Sequence, residues 1–404
     1  MSWPRTKLEL LAANKKYAFV GGPFGSKLTS RDYVATGTPV IRGSNLNNGR
    51  NLDLTDFVYV SDFKVQEDLS SNLAYPGDLV FTQRGTLGQV ALIPIEGEFE
   101  RYVVSQSQMK MTVNEHKADP LFLYYYFSSH EAVNRILSYT SSSGVPHINL
   151  TVLRNFEVPT PPLKIQNRIA SVLSAYDELI ENNRRRIQLL EESARLLYKE
   201  WFVRLRFPGH EHVKVADGVP EGWEKKPLSY IANITMGQSP KSEFYNTDGL
   251  GIPFHQGVKD FGHRFPSNNT YCTAMKRIAE AGDILFSVRA PVGRINVATE
   301  KIVIGRGLSA IRSIRNQQSF LLYNLKNHFF KEDMIGAGAI YAAITKKDLY
   351  NVELLQPSDS IIEMFLDHVN PIDRQIDVIT NQTAALAQAR DILIPKLMNG
   401  EVGV

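Results

Sequence analysis

At 404 residues the chain is long enough for two domains with separate hydrophobic cores, and its 43% apolar and 22% charged residues are ordinary for a globular protein. The single cysteine, Cys272, excludes an internal disulfide and fits a reducing cytosol, and no run of about 18 apolar residues predicts a membrane span. The N-terminus lacks the apolar core of a signal peptide, so we expect a cytoplasmic protein with no membrane partner. The net charge of +3 neither demands nor excludes nucleic acid, because a basic face can be balanced by acidic residues elsewhere.

Residues 1–160 mix short strand-like runs with glycine and proline turns, which indicates a domain of mixed α and β structure. The run from 20 to 46 is glycine-rich and basic before the strand-like residues PVIRG. In PGDLVFTQRGTLGQVALIP, residues 76–94, we predict two strands with alternate apolar residues facing inward. The glycine-containing loop between these strands carries Gln83, Arg84 and Gln89.

A long amphipathic helix is predicted from Leu163 to Trp201, where apolar residues recur at steps of three or four. Polar residues, Asp177 among them, fall on the opposite face, which predicts a solvated face. Two prolines precede the helix, and the sequence Phe-Pro-Gly at 207–209 ends it. At about 1.5 Å per residue the helix would be roughly 60 Å long, more than one compact domain needs. We therefore expect it to reach between two bodies, the alternative being a long surface helix of a single domain.

Residues 220–355 repeat the plan of residues 1–160. The segment AGDILFSVRAPVG lies over PGDLVFTQRGTLG with one constant offset, so that Asp78 matches Asp283 and Arg84 matches Arg289. GTPVIRG also lies over GIPFHQG, and INLTVLRNFEVPTPP lies over ITKKDLYNVELLQPS, in the same order along the chain. Ordered matches at three places indicate an internal duplication in which each copy runs into a long helix.

The second long helix is predicted from Ile362 to Leu397, where apolar residues alternate at steps of three and four as in a heptad seam. Thr383 and Arg390 are the polar members of this seam. The dipeptide at 370–371, Asn-Pro, predicts either a kink or the start of a new helix. Each helix can bury its apolar stripe against the other, so we expect an antiparallel pair that separates two globular parts.

The sequence carries no pattern typical of a catalytic, metal or nucleotide site. Neither GxGxxG after a strand nor GxxxxGK[ST] occurs, and no Cys and His residues have zinc spacing. His210 and His212 stand in a linker, where a solvated pair is the simpler interpretation. Asp78 and Asp283 could be taken for catalytic residues, but each follows a glycine just before a buried strand, where aspartate commonly caps a turn.

Polar and basic residues gather in corresponding loops of the two copies and suit DNA. Arginine can form two hydrogen bonds to one guanine, and glutamine or asparagine can form two to one adenine. Other basic residues can bind phosphates. For any single residue the alternative is an ordinary solvated side chain. Arg84 and Arg289 recur in both copies, which indicates a shared role in phosphate anchoring or loop bracing. His263 and Arg264 lie in the same group of loops. The predicted DNA-contacting residues are Lys27, Arg42, Asn45, Gln83, Arg84 and Gln89 in the first copy and Lys241, His255, Gln256, Lys259, Arg289 and Arg294 in the second.

These segments together resemble the specificity subunit of a type I restriction-modification system, and the resemblance covers nearly the whole chain. Its most specific pieces are RDILIPKLMNGE at 390–401 and the WF…RFPG junction at 201–209, beside FGSKLTSRDYVATGTPVIRGSNL and the repeated segments. The resemblance implies an α+β fold, with two similar mixed α/β target recognition domains separated by two long helices packed as an antiparallel coiled coil. It divides the chain into recognition domain 1–160, central helix 161–208, recognition domain 209–357 and C-terminal helix 358–404.

The same resemblance implies a sequence-specific DNA-binding subunit without a catalytic site of its own. Each recognition domain would read one half of a bipartite, asymmetric site, and the helices would fix the spacing between the halves. Two methyltransferase subunits would bind the helices, and motor-nuclease subunits would join for restriction. S-adenosylmethionine, ATP and Mg²⁺ are therefore expected on partner subunits. The helix residues expected to bind partners are Leu190, Leu197, Trp201, Phe202, Arg390, Leu393 and Leu397.

Physical reasoning agrees with this expectation. Two similar domains on a rigid spacer can occupy grooves about one helical turn, roughly 34 Å, apart on one face of DNA. Because the two copies differ at their loop tips, the full site should not be a palindrome.

Two alternative functions belong to other classes of protein. A free-standing nucleic-acid enzyme would be active as the isolated chain, and a pure protein scaffold would show no salt-dependent binding to duplex DNA.

Overall fold

The computed structural model describes residues 3–46, 49–140, 145–329 and 343–403. The chain forms two compact units, of which unit 1 is Met1–Arg184 with Thr380–Val404 and unit 2 is Arg185–Ile379. The boundaries between the units fall inside the two long helices, whereas the four predicted segments kept each helix whole. Each long helix therefore contributes one part to each unit.

Unit 1 combines short strands with a group of helices. Its strands are β1 (Arg5–Lys7), β2 (Phe19–Gly21), β3 (Tyr33–Val34), β4 (Thr38–Ile41), β5 (Val58–Val60), β6 (Leu73–Ala74), β7 (Leu79–Thr82), β8 (Val90–Leu92), β9 (Tyr102–Val104), β10 (Gln108–Met111) and β11 (Glu157–Pro159). Its helices are α1 (Asp62–Lys64), α2 (Pro120–Ser128), α3 (His130–Ser138), α4 (Leu150–Arg154) and the first part of α5 (Leu163–Tyr198).

Two sheets form the body of unit 1. The four-stranded sheet has the order β2-β10-β7-β8, and the five-stranded sheet has the order β3-β5-β4-β9-β6 with β4 and β9 parallel. Leu79 and Phe81 of β7 pack in one core with the helices, as their alternation predicted. Val80 packs in a second core with residues of the five-stranded sheet, so the other face of β7 is buried as well. The central strands are buried on both faces because the four-stranded sheet lies between helices and a second sheet.

Unit 2 has the same plan. Its strands are β12 (Val215–Ala216), β13 (Val219–Pro220), β14 (Glu224–Pro227), β15 (Ala232–Met236), β16 (Tyr245–Asn246), β17 (Ile252–His255), β18 (Tyr271–Cys272), β19 (Ile278–Ala279), β20 (Ile284–Ser287), β21 (Ile295–Val297), β22 (Ile302–Ile304), β23 (Leu308–Ser313) and β24 (Glu353–Gln356). Its helices are α6 (Leu228–Ile231), α7 (Gln318–Phe329), α8 (Lys346–Tyr350) and the first part of α9 (Asp359–Met398).

The sheets of unit 2 confirm the internal duplication. The four-stranded order β15-β23-β20-β21 corresponds strand by strand to β2-β10-β7-β8, and β16-β18-β17-β22-β19 corresponds to β3-β5-β4-β9-β6. The parallel pair recurs as β17 with β22. A separate two-stranded antiparallel sheet also recurs, formed by β1 with β11 in unit 1 and by β14 with β24 in unit 2. Two segments of one chain therefore fold to the same topology.

The repeated Gly-Asp turns have the predicted structural role. Gly77 and Gly282 have φ of 87° and 84°, a left-handed conformation that favours glycine. Asp78 accepts a hydrogen bond from the backbone N–H three residues earlier at 3.0 Å, and Asp283 does so at 2.8 Å. Each carboxylate is also paired with a cation of the neighbouring strand, Asp78 with Lys110 and Asp283 with Arg312. The turn interpretation is confirmed, and the sequence pattern missed the cation.

Helix α5 begins and ends close to the predicted positions. It contains 36 residues, and the chain continues as a π-turn, Lys199–Val203, before the Phe-Pro-Gly sequence. Ile169, Leu173 and Ile180 are buried on its apolar stripe. Asp177 is not on a solvated face, because its side chain is mostly buried and its carboxylate bonds other side chains. The prediction that Asp177 faces solvent is wrong.

Helix α9 is one continuous α-helix of 40 residues that passes through Pro371. The alternative in which a new helix starts at Pro371 is therefore wrong. Ile362, Phe365, Val369 and Ile376 are fully buried, as the heptad seam predicted. The fold thus keeps the helix intact even though Pro371 supplies no backbone N–H.

The two long helices run antiparallel in each unit. In unit 1, residues from the start of α5 and from the end of α9, such as Leu173 and Leu397, belong to one apolar core. In unit 2 the ends are exchanged, and Tyr198 near the end of α5 contacts Phe365 near the start of α9 with ring centroids 6.0 Å apart. The start of each helix therefore packs with the end of the other.

Charge placed in the buried stripe should unfold the protein more easily. Ile376→Asp is expected to lower the free energy of unfolding by about 3–5 kcal/mol, the range for an uncompensated buried charge. Val378→Asp is the matched control, because Val378 lies on the same helix and is 54% exposed. Thermal unfolding of both variants checks the prediction. Equal melting temperatures for the two variants would show that Ile376 is not a core residue.

Candidate nucleic-acid interface

The predicted DNA-contacting loops of unit 1 converge at one end of its two sheets. Strands β2, β4, β7 and β9 end there, and β10 begins there. The backbone N–H of Gly22 donates to the carbonyl of Gln108 at 2.9 Å, and that of Gln83 donates to the carbonyl of Ser107 at 2.7 Å. The N–H of Ser105 donates to the carbonyl of Ile41 at 3.0 Å. We call the loops 22–28, 42–46, 83–89 and 105–107 loop face 1.

Unit 2 builds an equivalent end, which we call loop face 2 and which contains loops 237–241, 256–260, 288–294 and 305–307. The N–H of Gly237 donates to the carbonyl of Leu308 at 2.9 Å, as Gly22 does in loop face 1. The N–H of Gly305 donates to the carbonyl of His255 at 2.8 Å, which repeats the bond between Ser105 and Ile41. The two loop faces therefore rest on the same backbone scaffold.

Each scaffold requires one glycine at a close backbone crossing. A Cβ atom added at Gly22 would lie 1.9 Å from the carbonyl oxygen of Ser105. A Cβ added at Gly237 would lie 2.1 Å from the carbonyl oxygen of Gly305. No side chain fits at either position without moving the crossing loop, so these glycines set the shape of both loop faces.

Arg84 and Arg289 occupy the same position in the two units. Each is exposed and lies just beyond a central strand. Arg84 forms an isolated antiparallel β-bridge with His147, and Arg289 forms one with Ala343. The N–H of Ile148 donates to the carbonyl of Gln83 at 3.0 Å. In unit 2 the N–H of Ile344 donates to the carbonyl of Val288 at 2.8 Å. The backbone of both arginines is braced, and both side chains extend from a loop face.

Most of the predicted residues of loop face 1 are accessible. Lys27 is exposed and Gln83 is half-buried. Arg42 donates to the carbonyl of Asp56 at 2.7 Å, and the amide of Gln89 donates to the carbonyl of Leu46 at 2.8 Å. These two side chains thus also brace the loops from which they project.

The predicted residues of loop face 2 are mostly exposed. Lys241, Lys259, Arg289 and Arg294 project from it, and Lys241 lies 3.6 Å from the carboxylate of Glu243. Gln256 is exposed, and its amide oxygen accepts a hydrogen bond from the hydroxyl of Ser239 at 2.8 Å.

The structure corrects the predicted DNA-contacting set at two positions. Asn45 is buried, and its amide caps its own turn, accepting from the N–H of Arg42 and donating to the carbonyls of Asp53 and Thr55. His255 is buried at the end of β17, where Nε2 lies 2.9 Å from the amide oxygen of Asn268. Burial leaves neither side chain available to a base, so both are removed from the set.

His263 and Arg264 form part of an acid-base cluster and not of loop face 2. His263 Nδ1 lies 2.9 Å from the carboxylate of Glu191, and Arg264 is only 6% exposed. The hydrogen bond to Glu191 raises the pKa of His263. Burial alone would raise the pKa of Glu191, but His263 and the charges of Lys326 and Arg264 lower it overall.

Three exposed residues on the loop faces were missed by sequence reasoning. Phe24 is 91% exposed at the tip of loop 22–28. Gln106 and Arg306 stand at the same point of the two scaffolds, each between the parallel strand and the start of the next strand, and both are exposed. Their neighbours share no residues, Ser-Gln-Ser against Gly-Arg-Gly, so only the matched strand order identifies them as equivalent.

The structure also corrects the predicted partner-binding set. Trp201, Phe202 and Leu397 are buried in the hydrophobic cores of their own units. Leu190, Leu197 and Leu393 are half-buried, and Arg390 bonds Asp177. The large apolar residues of the long helices that remain exposed are different ones, namely Val172, Leu179, Leu189, Leu196 and Val203 on α5 and its π-turn, and Met364, Val378 and Ile392 on α9.

Within the ranges that the structure describes, no group of three or more His, Cys, Asp or Glu side chains could hold a metal ion. No helix among the described residues is both long and apolar enough to cross a membrane.

Comparisons with known proteins find one family twice in this chain. The model for the type I restriction modification DNA specificity domain matches residues 24–192 and again residues 220–388. A Methanocaldococcus jannaschii chain provisionally named MjaX type I restriction enzyme specificity subunit is 32% identical, over 91% of this chain and 88% of that one. The MjaIX type I restriction enzyme specificity subunit of the same organism is 24% identical, over 96% and 93%. The solved structure of the type-I restriction-modification system S subunit from M. genitalium has a TM-score of 0.56 at 18% identity, with 98% and 96% coverage, and shares the fold.

A side chain added at the backbone crossing of loop face 2 should destabilise unit 2. Gly237→Ala places a Cβ against the carbonyl oxygen of Gly305 and is expected to cost about 1–3 kcal/mol. Gly257→Ala is the matched control on the same loop face, because no atom lies within 4 Å of its added Cβ and its φ of −172° is extended. Calorimetric melting of both variants tests this, and an unchanged melting temperature for Gly237→Ala would contradict the crossing geometry.

Proposed function

Because the chain belongs to the type I restriction-modification DNA specificity family, with one copy of the family domain in each unit, we propose that it directs a methyltransferase and restriction complex to one bipartite, asymmetric DNA sequence. In this proposal each unit reads one half-site through its loop face. DNA is the ligand of both loop faces, and the chain carries no catalytic site of its own.

The observation that carries this proposal is that one scaffold presents different side chains. Gln89 and Arg294 are equivalent, because the carbonyl of each accepts from the residue that ends the neighbouring strand, Thr82 at 3.0 Å and Ser287 at 2.9 Å. Glutamine suits adenine and arginine suits guanine in the major groove. The same scaffold therefore supports two different half-sites and a full site that is not a palindrome.

The remaining side chains of the loop faces divide between base contact and phosphate contact. We propose that Gln83, Gln106 and Gln256 read base edges together with Arg306, since each offers an exposed or half-buried polar group from a braced loop. Arg84 and Arg289 are common to both copies and carry no information that distinguishes half-sites, so we assign them to phosphates. Lys27, Lys241 and Lys259 are assigned to phosphates for their exposed ammonium groups.

The long helices have a second role in the proposal, to fix the gap between half-sites and to bind two methyltransferase subunits, with motor-nuclease subunits joining for restriction. Exposed apolar side chains seven residues apart, Leu189 and Leu196 on α5 and Val203 at the end of its π-turn, support a protein-binding face. S-adenosylmethionine, ATP and Mg²⁺ would bind the partner subunits. A complex of this kind would act in the cytoplasm.

The contributions of the two units to sequence preference should be separable. Gln83→Ala is expected to relax discrimination in one half-site only, and Arg294→Ala in the other, by about 1–3 kcal/mol per lost base contact. Arg84→Ala and Arg289→Ala should weaken binding to all sequences alike and reduce its salt dependence. The measurement is a binding selection from randomised duplexes, with the chain alone and with its methyltransferase subunits.

Arg315→Ala is the matched control for the arginine variants. Arg315 follows the end of β23 that is opposite loop face 2, and it pairs with Asp359 at 2.8 Å. It should leave both half-sites unchanged. Altered preferences in both half-sites with Gln83→Ala alone would contradict modular reading.

A further inference from the structure

A buried polar contact joins three elements in unit 1. The hydroxyl of Tyr125 on α2 donates to Asp177 Oδ2 on α5 at 2.6 Å. Arg390 near the end of α9 donates from Nη1 to Asp177 Oδ1 at 2.5 Å. Tyr125 is almost fully buried, and the Asp177 side chain is 12% exposed. One carboxylate therefore connects the body of unit 1 with both long helices.

The same contact recurs in unit 2 with the roles of the long helices exchanged. The hydroxyl of Tyr323 on α7 donates to Asp373 Oδ1 on α9 at 3.0 Å, and Ser319 donates to Oδ2. Arg264 Nη2 lies 2.7 Å from Asp373 Oδ1. Glu191 on α5 lies 3.4 Å from Arg264 Nη1, so the second long helix again takes part.

Equivalent positions, and not chance proximity, form the two contacts. Asp177 is as many residues from the start of α5 as Asp373 is from the start of α9. Tyr125 and Tyr323 are likewise at the same position of α2 and α7. The arginine comes from a different element in each unit. In unit 1 it is Arg390 on the opposite long helix, and in unit 2 it is Arg264 in a loop. The Tyr-Asp hydrogen bond is therefore common to both units, whereas the arginine that pairs with the aspartate charge comes from a different element in each.

Stability alone does not explain buried charge at these positions. Removing a carboxylate and a guanidinium from water costs about as much as their pairing gains, and apolar residues of similar size would pack as well. What a hydrogen-bonded ion pair supplies is one geometry, whereas a heptad stripe of similar apolar residues can slip or rotate at small cost. Burial first, and then the carboxylate, raises the pKa of both tyrosines, so both hydroxyls stay protonated donors.

We propose that the Tyr125–Asp177 and Tyr323–Asp373 contacts are positioning devices that fix each recognition domain on the long helices and so set the number of base pairs between the two half-sites. The proposal rests on the proposed function. It assigns the gap to two side-chain contacts in addition to helix length. None of the four residues lies on a loop face, and none contacts DNA in this proposal.

The experiment measures tolerance of the gap with the half-sites held constant. Duplexes carrying the selected half-sites at gaps one or two base pairs shorter or longer compete with the native gap for the chain in complex with its methyltransferase subunits. Tyr125→Phe and Tyr323→Phe each remove a single oxygen atom and keep the ring. Each should lower the preference for the native gap by about tenfold, the factor for one lost hydrogen bond to a charged group, with base preferences unchanged. Asp373→Asn should lower it further.

Tyr350→Phe is the matched control. Its hydroxyl donates to the carbonyl of Ile234 at 3.2 Å inside unit 2, so it loses a hydrogen bond without touching the positioning contact. It should keep the gap preference of the unmodified chain. If the tyrosine variants melted earlier but kept that preference, the contacts would be structural only and the inference would be overturned.

The two proposals fail in different ways. If the unmodified chain showed no preferred gap at all, the proposed function would fail and this inference with it. If the unmodified chain preferred one gap and Tyr125→Phe and Tyr323→Phe preferred it equally, this inference alone would fail. Should Asp373→Asn not fold, the two tyrosine variants still decide the outcome.

Discussion

The whole structure depends on burying the apolar stripe that runs along each long helix. Helices of 36 and 40 residues with such a stripe gain their stability from packing and not from helix propensity. Each unit supplies a core for one part of each stripe, in unit 1 around Leu173 and Leu397 and in unit 2 around Tyr198 and Phe365. Each unit is therefore complete only with parts of both helices.

Duplication divides the molecule into constant and variable parts. The Gly-Asp turns, the glycines at the backbone crossings and the Tyr-Asp contacts recur because each solves a geometric problem of the shared fold. Gln89 and Arg294 differ at one position of that fold, and Gln106 and Arg306 differ at another. The variable side chains lie on the loop faces, outside the hydrophobic cores, where a substitution leaves the core packing unchanged.

Sequence patterns could predict this architecture because periodicity and internal repetition are local or directly comparable properties. Both long helices, the antiparallel pairing and the duplicated sheets followed from such patterns. Burial of polar residues could not be predicted, because it depends on partners far along the chain, such as Arg390 for Asp177. For the same reason Arg264 resembled a DNA contact and Asn45 resembled a base reader. Trp201 resembled a partner contact because the pattern does not tell which core an apolar residue enters.

In the proposed function, the length of the long helices sets the distance between the half-sites, and the loop faces set the sequence of each half-site. The most direct test inserts one heptad into α5 beside Arg184 and one into α9 beside Ile379, where both helices pass between units. Seven helical residues add about 10 Å, which equals roughly three base pairs of B-DNA. In a binding selection we expect the same two half-sites with a gap about three base pairs longer. Different half-sites, or the original gap with both insertions in place, would contradict it.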